Sequence, residues 1–161
     1  MNIDIVVADY FNNSHANDLV FLLDKYASDP AGGSKGLSQY VRDNLVGELA
    51  KLPFAFSIIC YVEGLPAGLI NCFSLFSTFK CKPLVNIHDL FVLAQFRNQG
   101  ISQLMLQEVE RIARDRQACK ITLEVLKKNQ PARNAYSKFG FVGYELDPKY
   151  GNAIFLEKTL M

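Results

Sequence analysis

Three long apolar runs follow one another with little between them, and they constrain the fold more than any other part of the chain. Phe54–Val62, Ala67–Phe76 and Leu84–Leu93 are apolar runs of strand length bounded by turn residues, the pattern of buried strands. Glu63-Gly64-Leu65-Pro66 separates the first two and reads as a four-residue hairpin loop; the polar stretch Thr78–Pro83 separates the second from the third. Loops this short join antiparallel neighbours, because a parallel crossover needs a dozen residues or more. The period then changes. Gly100–Arg116 puts Ile101, Leu104, Met105, Val109, Ile112 and Ala113 on one stripe, the pattern of an amphipathic helix. Lys120–Leu126 is strand-like again, so a β-α-β unit closes the antiparallel series.

The flanks complete the pattern. Ile3–Ala8 reads as a first strand. Asn12, Asn13 and Ser14 offer caps for a helix carrying Leu19, Leu22, Leu23 and Tyr26 at helical spacing. That helix should stop near Asp29-Pro30, with Gly32 and Gly33 as a mobile linker. A second helix carries Leu37, Tyr40, Val41, Leu45 and Leu49 and ends before Pro53. Asn129–Phe139 reads as a short helix, with Pro131 near its start and Gly140 just past its end. Phe141–Leu146 and Ala153–Lys158 read as closing strands. The order β-α-α-β-β-β-α-β-α-β-β predicts an α/β chain: a mixed, mostly antiparallel twisted sheet flanked by helices. With 161 residues and no internal repeat or evident boundary, one domain over residues 1–161 is expected.

Charge and cysteine usage exclude several classes. Seventeen basic and 16 acidic residues give a net charge of +1, which is no footprint for nucleic acid. No apolar run is long enough to span a bilayer, and the start MNIDIVVADYF lacks the basic region of a signal peptide; a cytoplasmic location is expected, with no membrane partner. Cys60, Cys72, Cys81 and Cys119 form no C-x-x-C pair and read as free thiols in a reducing compartment. His15 and His88 are far apart, so no metal is expected.

Two stretches carry candidate chemistry. Arg97-Asn98-Gln99-Gly100-Ile101-Ser102 lies between a strand and a helix start, where backbone N–H groups face an anion and a glycine permits close approach. Arg97 could add a charge-assisted contact to a phosphate. An ordinary glycine loop is the competing reading. His88-Asp89 places two ionisable residues inside an otherwise apolar strand, which costs free energy unless they are paired or face a wet cleft.

These residues and the element order resemble the GCN5-related N-acetyltransferases (GNAT family). The family signature Q/R-x-x-G-x-G/A is similar to Arg97-Asn98-Gln99-Gly100-Ile101-Ser102, with Ser102 in place of the usual glycine or alanine. Downstream, Asn129 to Phe141 resembles the family's N-x-x-A-x-x-x-Y-x-x-x-G-F segment. The resemblance covers nearly the whole chain and is weak before Phe54. It implies the GNAT acyl-CoA N-acyltransferase fold and transfer of an acetyl group from acetyl-CoA, held as acyl-donor co-substrate, to an amine. Arg97, Asn98, Gln99, Gly100, Ile101 and Ser102 would hold the pyrophosphate. Backbone groups of Leu90, Phe91 and Val92, with Asn129, would hold the pantetheine arm, and an N–H near Val92 would polarise the thioester carbonyl. Tyr136 matches the general acid for the departing thiolate, although its helical spacing with Ala132 and Phe139 also suits a core aromatic.

In the diamine acetyltransferase branch a Glu-Asp pair stands where this chain has His88-Asp89. The resemblance implies His88 as base for the amine and Asp89 as substrate-binding anion. Adjacent strand residues point to opposite faces, so both reach one cleft only if a bulge re-aims one of them; otherwise one simply pairs with a neighbour in the sheet. Lys127-Lys128, Asp29, Asp43 and Glu48 read as solvated charges. The expected partner is a small primary amine such as a polyamine, amino acid or aminoglycoside, with protein N-terminal acetylation as a lower option and homodimer formation left open. The rival reading is a non-catalytic acyl-CoA-binding or interaction module on the same fold.

Overall fold

A computed structural model describes residues 1–161. The chain forms two compact units, residues 1–123 and 124–161.

The first unit is a five-stranded sheet in the sequential order β1-β2-β3-β4-β5, with strands β1 (Ile3–Val7), β2 (Ala55–Val62), β3 (Leu65–Ser77), β4 (Lys82–Val92) and β5 (Ile121–Leu123). The first four pair antiparallel and β4 pairs β5 in parallel. Helices α1 (Asn13–Ser28) and α2 (Gln39–Ala50) connect β1 to β2, and α3 (Ile101–Asp115) connects β4 to β5. Helix α1 starts where Asn12 Oδ1 accepts the N–H groups of Ser14 and His15, at 2.9 and 3.2 Å, an N-cap that satisfies donors the helix cannot. It stops at Asp29, held extended ahead of Pro30. The Gly32-Gly33 stretch, expected as a mobile linker, is instead a 3-10 turn over Pro30–Gly32, because Asp29 Oδ1 caps the Ala31 N–H at 2.9 Å.

The β2–β3 loop is shorter than the sequence suggests. It has two residues, Glu63 at φ 49° and Gly64 at φ 77°, with Val62 opposite Leu65. Two left-handed residues make a type I′ turn, whose twist matches that of the strands. Pro66 therefore lies inside β3, and a bulge makes room for it: Tyr61 pairs Pro66 while Cys60 pairs Gly68, leaving Ala67 extra.

The sheet buries both faces. On one, Ile59, Leu69, Phe91 and Leu93 pack with Leu19 and Leu22 of α1 and Leu49 of α2. On the other, α3 inserts Ile101, Met105, Leu106, Val109, Ile112 and Ala113. Gly68 lets α3 come close, for a Cβ there would stand 2.8 Å from Met105 Cε and 3.1 Å from the Phe91 carbonyl oxygen. Tyr40, expected on the apolar face of α2, is 73% exposed; α2 contributes Leu49 to the core, with Leu45 and Val46 at its margin.

The second unit holds α4 (Gln130–Phe139), capped by Asn129 Oδ1, which accepts the Ala132 N–H at 3.3 Å. Gly140 ends it at φ 109°, with the N–H groups of Gly140 and Phe141 returning to the Tyr136 carbonyl, the usual left-handed stop. The two closing strands expected at Phe141–Leu146 and Ala153–Lys158 do not form. A single backbone hydrogen bond, Ala153 N–H to the Tyr144 carbonyl at 2.9 Å, joins these segments. A strand exists through a ladder of such bonds, which alternation of residue types cannot supply. No helix of the chain is long and apolar enough to cross a membrane.

Candidate active site

Strand β5 is shorter than Lys120–Leu126, and its brevity shapes the site. The parallel register runs Val85–Ile121, Asn86–Thr122, Ile87–Leu123 and stops. Strand β4 continues to Val92, so Leu90, Phe91 and Val92 have no β5 partner along that edge. The chain then turns through a 3-10 segment, Ala94–Phe96, passes Asn98 at φ 62° and reaches Gly100 at φ 79°, the N-cap of α3. No side chain caps α3, leaving first-turn N–H groups that the helix itself cannot satisfy. An extended strand edge followed by an uncapped helix start fits a ligand with an amide-bearing arm and an anionic end, the chemistry of CoA.

Arg97 has definite partners in this turn. Its Nε donates to the Val92 carbonyl at 2.9 Å, its Nη2 donates to Asp29 Oδ2 at 2.9 Å, and its guanidinium lies 5.6 Å from the Phe91 ring centre. It thereby ties the end of α1 to the end of β4. The Ala31 N–H and then Arg97 hold the Asp29 carboxyl below its usual range. Gln99 donates to the Gln95 carbonyl at 3.1 Å, within the turn.

Where β4 pairs with β3, Asn71 stands opposite Asp89 and Cys72 opposite Ile87. His88 is the extra residue of a bulge, which breaks the strict alternation of faces. The His88 ring meets Phe73 edge-on at 5.5 Å, and Phe73 packs against the α1/α2 cluster. Asp89 lies two residues from Phe91 of the same cluster and accepts from Asn71 Nδ2 at 3.0 Å. Both side chains therefore lie on the α1/α2 face of the sheet. Tyr26 of α1 stacks on Phe91 at 5.4 Å. Burial pushes its hydroxyl pKa up, and the charges of Asp89 and Asp29 add to that.

Behind Asp89 lies a chain of polar groups absent from the sequence reading. Ser57 is fully buried and Asn71 is 4% exposed. Ser57 Oγ donates to Asn71 Oδ1 at 2.6 Å and lies 2.8 Å from the Tyr10 hydroxyl. The available signal was Ser57 in one apolar run and Asn71, alongside Ser74, in the next. The second unit carries Asn129, used as the α4 cap, and Tyr136, which meets Phe141 edge-on at 5.9 Å. The cysteines are free. Burial raises the Cys60 thiol to about 11 and the Cys72 thiol well above its ordinary value, which suits packing and not nucleophilic work.

This fold has counterparts among known proteins. The model of the acetyltransferase (GNAT) family matches residues 17–141, and the chain belongs to that family. A putative [ribosomal protein bS18]-alanine N-acetyltransferase from Bacillus subtilis strain 168 is 22% identical over 103 residues, which cover 64% of each chain. The matched part thus spans less than two thirds of that relative. Among solved structures, an aminoglycoside acetyltransferase from an uncultured soil metagenomic sample superposes with a TM-score of 0.80 at 16% identity, over 99% of this chain and 97% of the other. AAC(6')-Iy, in complex with the bisubstrate analogue CoA-S-monomethyl-acetylneamine, superposes with a TM-score of 0.78 at 17% identity, over 99% of both chains. At these identities the structural likeness establishes the shared fold.

Proposed function

We propose that this chain is an acetyl-CoA-dependent N-acetyltransferase, a single functional domain acting on a primary amine of a small molecule by direct attack in a ternary complex. The observation that carries the reading is the end of β4/β5 pairing at Ile87–Leu123 while β4 runs on to Val92 and into the uncapped start of α3. Family membership and the CoA-derived ligand of a structural neighbour support it.

Acetyl-CoA supplies an activated acyl group and a thiolate leaving group. The backbone of Leu90, Phe91 and Val92, with Asn129, holds the pantetheine arm. The turn Arg97-Asn98-Gln99-Gly100-Ile101-Ser102 holds the pyrophosphate, chiefly through backbone N–H groups, since Arg97 already serves Asp29 and Val92. This binding orients the reactants, and an N–H near Val92 polarises the carbonyl. Asp89 holds the acceptor's cationic group. His88, directly or through water, removes the amine proton, and Tyr136 returns one to the thiolate.

The test is thiol release from acetyl-CoA across polyamines, amino acids, aminoglycosides and a peptide with N-terminal alanine. Turnover of a small amine is the expected result. Turnover of the peptide alone favours protein acetylation, the activity for which the Bacillus relative is named. CoA binding with no turnover of any amine refutes the enzyme and leaves the binding module.

A further inference from the structure

We infer that Asn71, backed by Ser57 and Tyr10, is a positioning residue that fixes Asp89 as an oriented, acceptor-only carboxylate and so selects cationic acceptors. The inference rests on the proposed reading of Asp89 as the substrate-binding anion.

The direction of every hydrogen in the chain follows from valence. Asn71 Oδ1 has no hydrogen, so Ser57 donates the 2.6 Å bond to it. Ser57 has one hydroxyl hydrogen, which that bond uses. The Tyr10 hydroxyl, 2.8 Å from Ser57 Oγ, must then be the donor to Ser57. With its oxygen occupied, Asn71 presents its NH₂ group to Asp89 Oδ2 at 3.0 Å. The alternative amide orientation would set Asn71 oxygen against carboxylate oxygen and nitrogen against the Ser57 donor. The series Tyr10 to Ser57 to Asn71 to Asp89 therefore runs one way and ends on a carboxylate oxygen. A side-chain amide does not relay protons readily, so this is an orienting device and not a proton path.

Burial makes the device rigid. Ser57 and Asn71 are the buried polar residues of the chain, on adjacent strands in direct register, and every buried polar side-chain atom has a partner. A fully satisfied buried network holds one geometry, because any rotation strands a donor or acceptor in a medium that cannot replace water. Asp89 differs from its acidic neighbours on this side of the sheet. Asp24 is paired with Arg42 and Asp29 with Arg97, each at 2.9 Å, whereas Asp89 has the neutral Asn71 amide as its hydrogen-bond partner. One oxygen is pinned, and the carboxylate forms no ion pair with a cation of the chain, unlike Asp24 and Asp29. A half-buried carboxylate in that state favours a cationic guest, here the ammonium group of the acceptor.

The test compares wild type with Asn71→Leu, Ser57→Ala and Tyr10→Phe. Each folded variant is assayed with the best amine from the thiol-release panel, and the KM for amine is separated from the KM for acetyl-CoA. The amine KM should rise about tenfold in Asn71→Leu, the scale of one lost orienting contact. It should rise about threefold in Ser57→Ala and less in Tyr10→Phe, with the acetyl-CoA KM unchanged. A merely structural role would move both KM values together or neither, and either result overturns the inference. If wild type acetylates no amine, the enzyme reading fails, and a second readout decides this inference. 1,4-Diaminobutane is titrated into the CoA-loaded protein while the Asn71 side-chain amide signals are followed by NMR. A saturable shift, weakened in Ser57→Ala and absent with butan-1-ol, upholds it; no shift overturns it.

Discussion

Replacing Arg97 by alanine should destabilise the fold as well as weaken cofactor binding, and the structure sets the size of the effect. Three contacts go. The bond to the Val92 carbonyl at 2.9 Å is charge-assisted, worth about 1.5 kcal/mol. The ion pair to Asp29 joins side chains 45% and 24% exposed, so solvent screening leaves about 0.5 kcal/mol. The contact with the Phe91 ring at 5.6 Å adds about 0.5 kcal/mol. Contacts of one side chain do not sum independently, so a loss of about 2 kcal/mol is expected, a fall in Tm of about 4–8 °C for a chain of this size. Asp29→Asn removes the ion pair alone and should lower Tm by about 1–2 °C. Because the folded state holds the Asp29 carboxyl below its ordinary value of 3.8, its charge stabilises the fold above that pH. The contribution is lost as pH falls through the lower folded value. The Tm difference between wild type and Asp29→Asn should therefore close under more acidic conditions. Thermal melts of both variants, with acetyl-CoA KM measured in parallel, check this. An Arg97→Ala protein that melts with wild type and differs only in acetyl-CoA KM would show that the contacts to Asp29 and Val92 carry no weight.

Other perturbations separate chemistry from packing. His88→Ala should lower kcat/KM by about 10²-fold if the ring acts as base, with little change in Tm, since His88 is exposed beyond its contact with Phe73; unchanged rates reject the role. Tyr136→Phe keeps the edge-on contact with Phe141 and should lower turnover by about 10²-fold with amine KM held; unchanged turnover removes it as the acid. Gly68→Ala should cost about 1–3 kcal/mol, because the new Cβ meets Met105 and the Phe91 carbonyl. Pairing it with Met105→Leu should return part of that in chemical denaturation, and no recovery would place the strain on the carbonyl.

What could be read from the chain beforehand was whatever is local. The helix stripe of α3, the capped start of α1, the Pro131 start and Gly140 stop of α4, and the run of antiparallel strands depend on period and on neighbouring residues. Register does not. Ser57, Asn71 and Asp89 lie in three separate apolar runs with nothing local to connect them, and only the pairings Ser57–Asn71 and Asn71–Asp89 bring them together. Arg97 showed the same limit: its ion-pair partner lies 68 residues away. The His88 bulge was identified as a requirement for a shared face, but its position depends on how β3 and β4 pair. The closing strands failed for a related reason, since alternation predicts a surface suited to pairing without predicting a partner.

The bulge at His88 has a consequence outside catalysis. Beyond Leu123 no strand pairs with the far edge of β4, and such an edge is a template on which another polypeptide can add itself. A straight apolar strand of Leu90, Phe91 and Val92 would be an invitation to fibrillation. Here a kinked backbone precedes it, a carboxylate sits at Asp89, and the Arg97–Asp29 ion pair follows it, three features that shorten and interrupt the sticky length. Removing the charge at Asp89 should therefore raise edge-to-edge self-association, and Asp89 substitutions should be judged by light scattering as well as by rate.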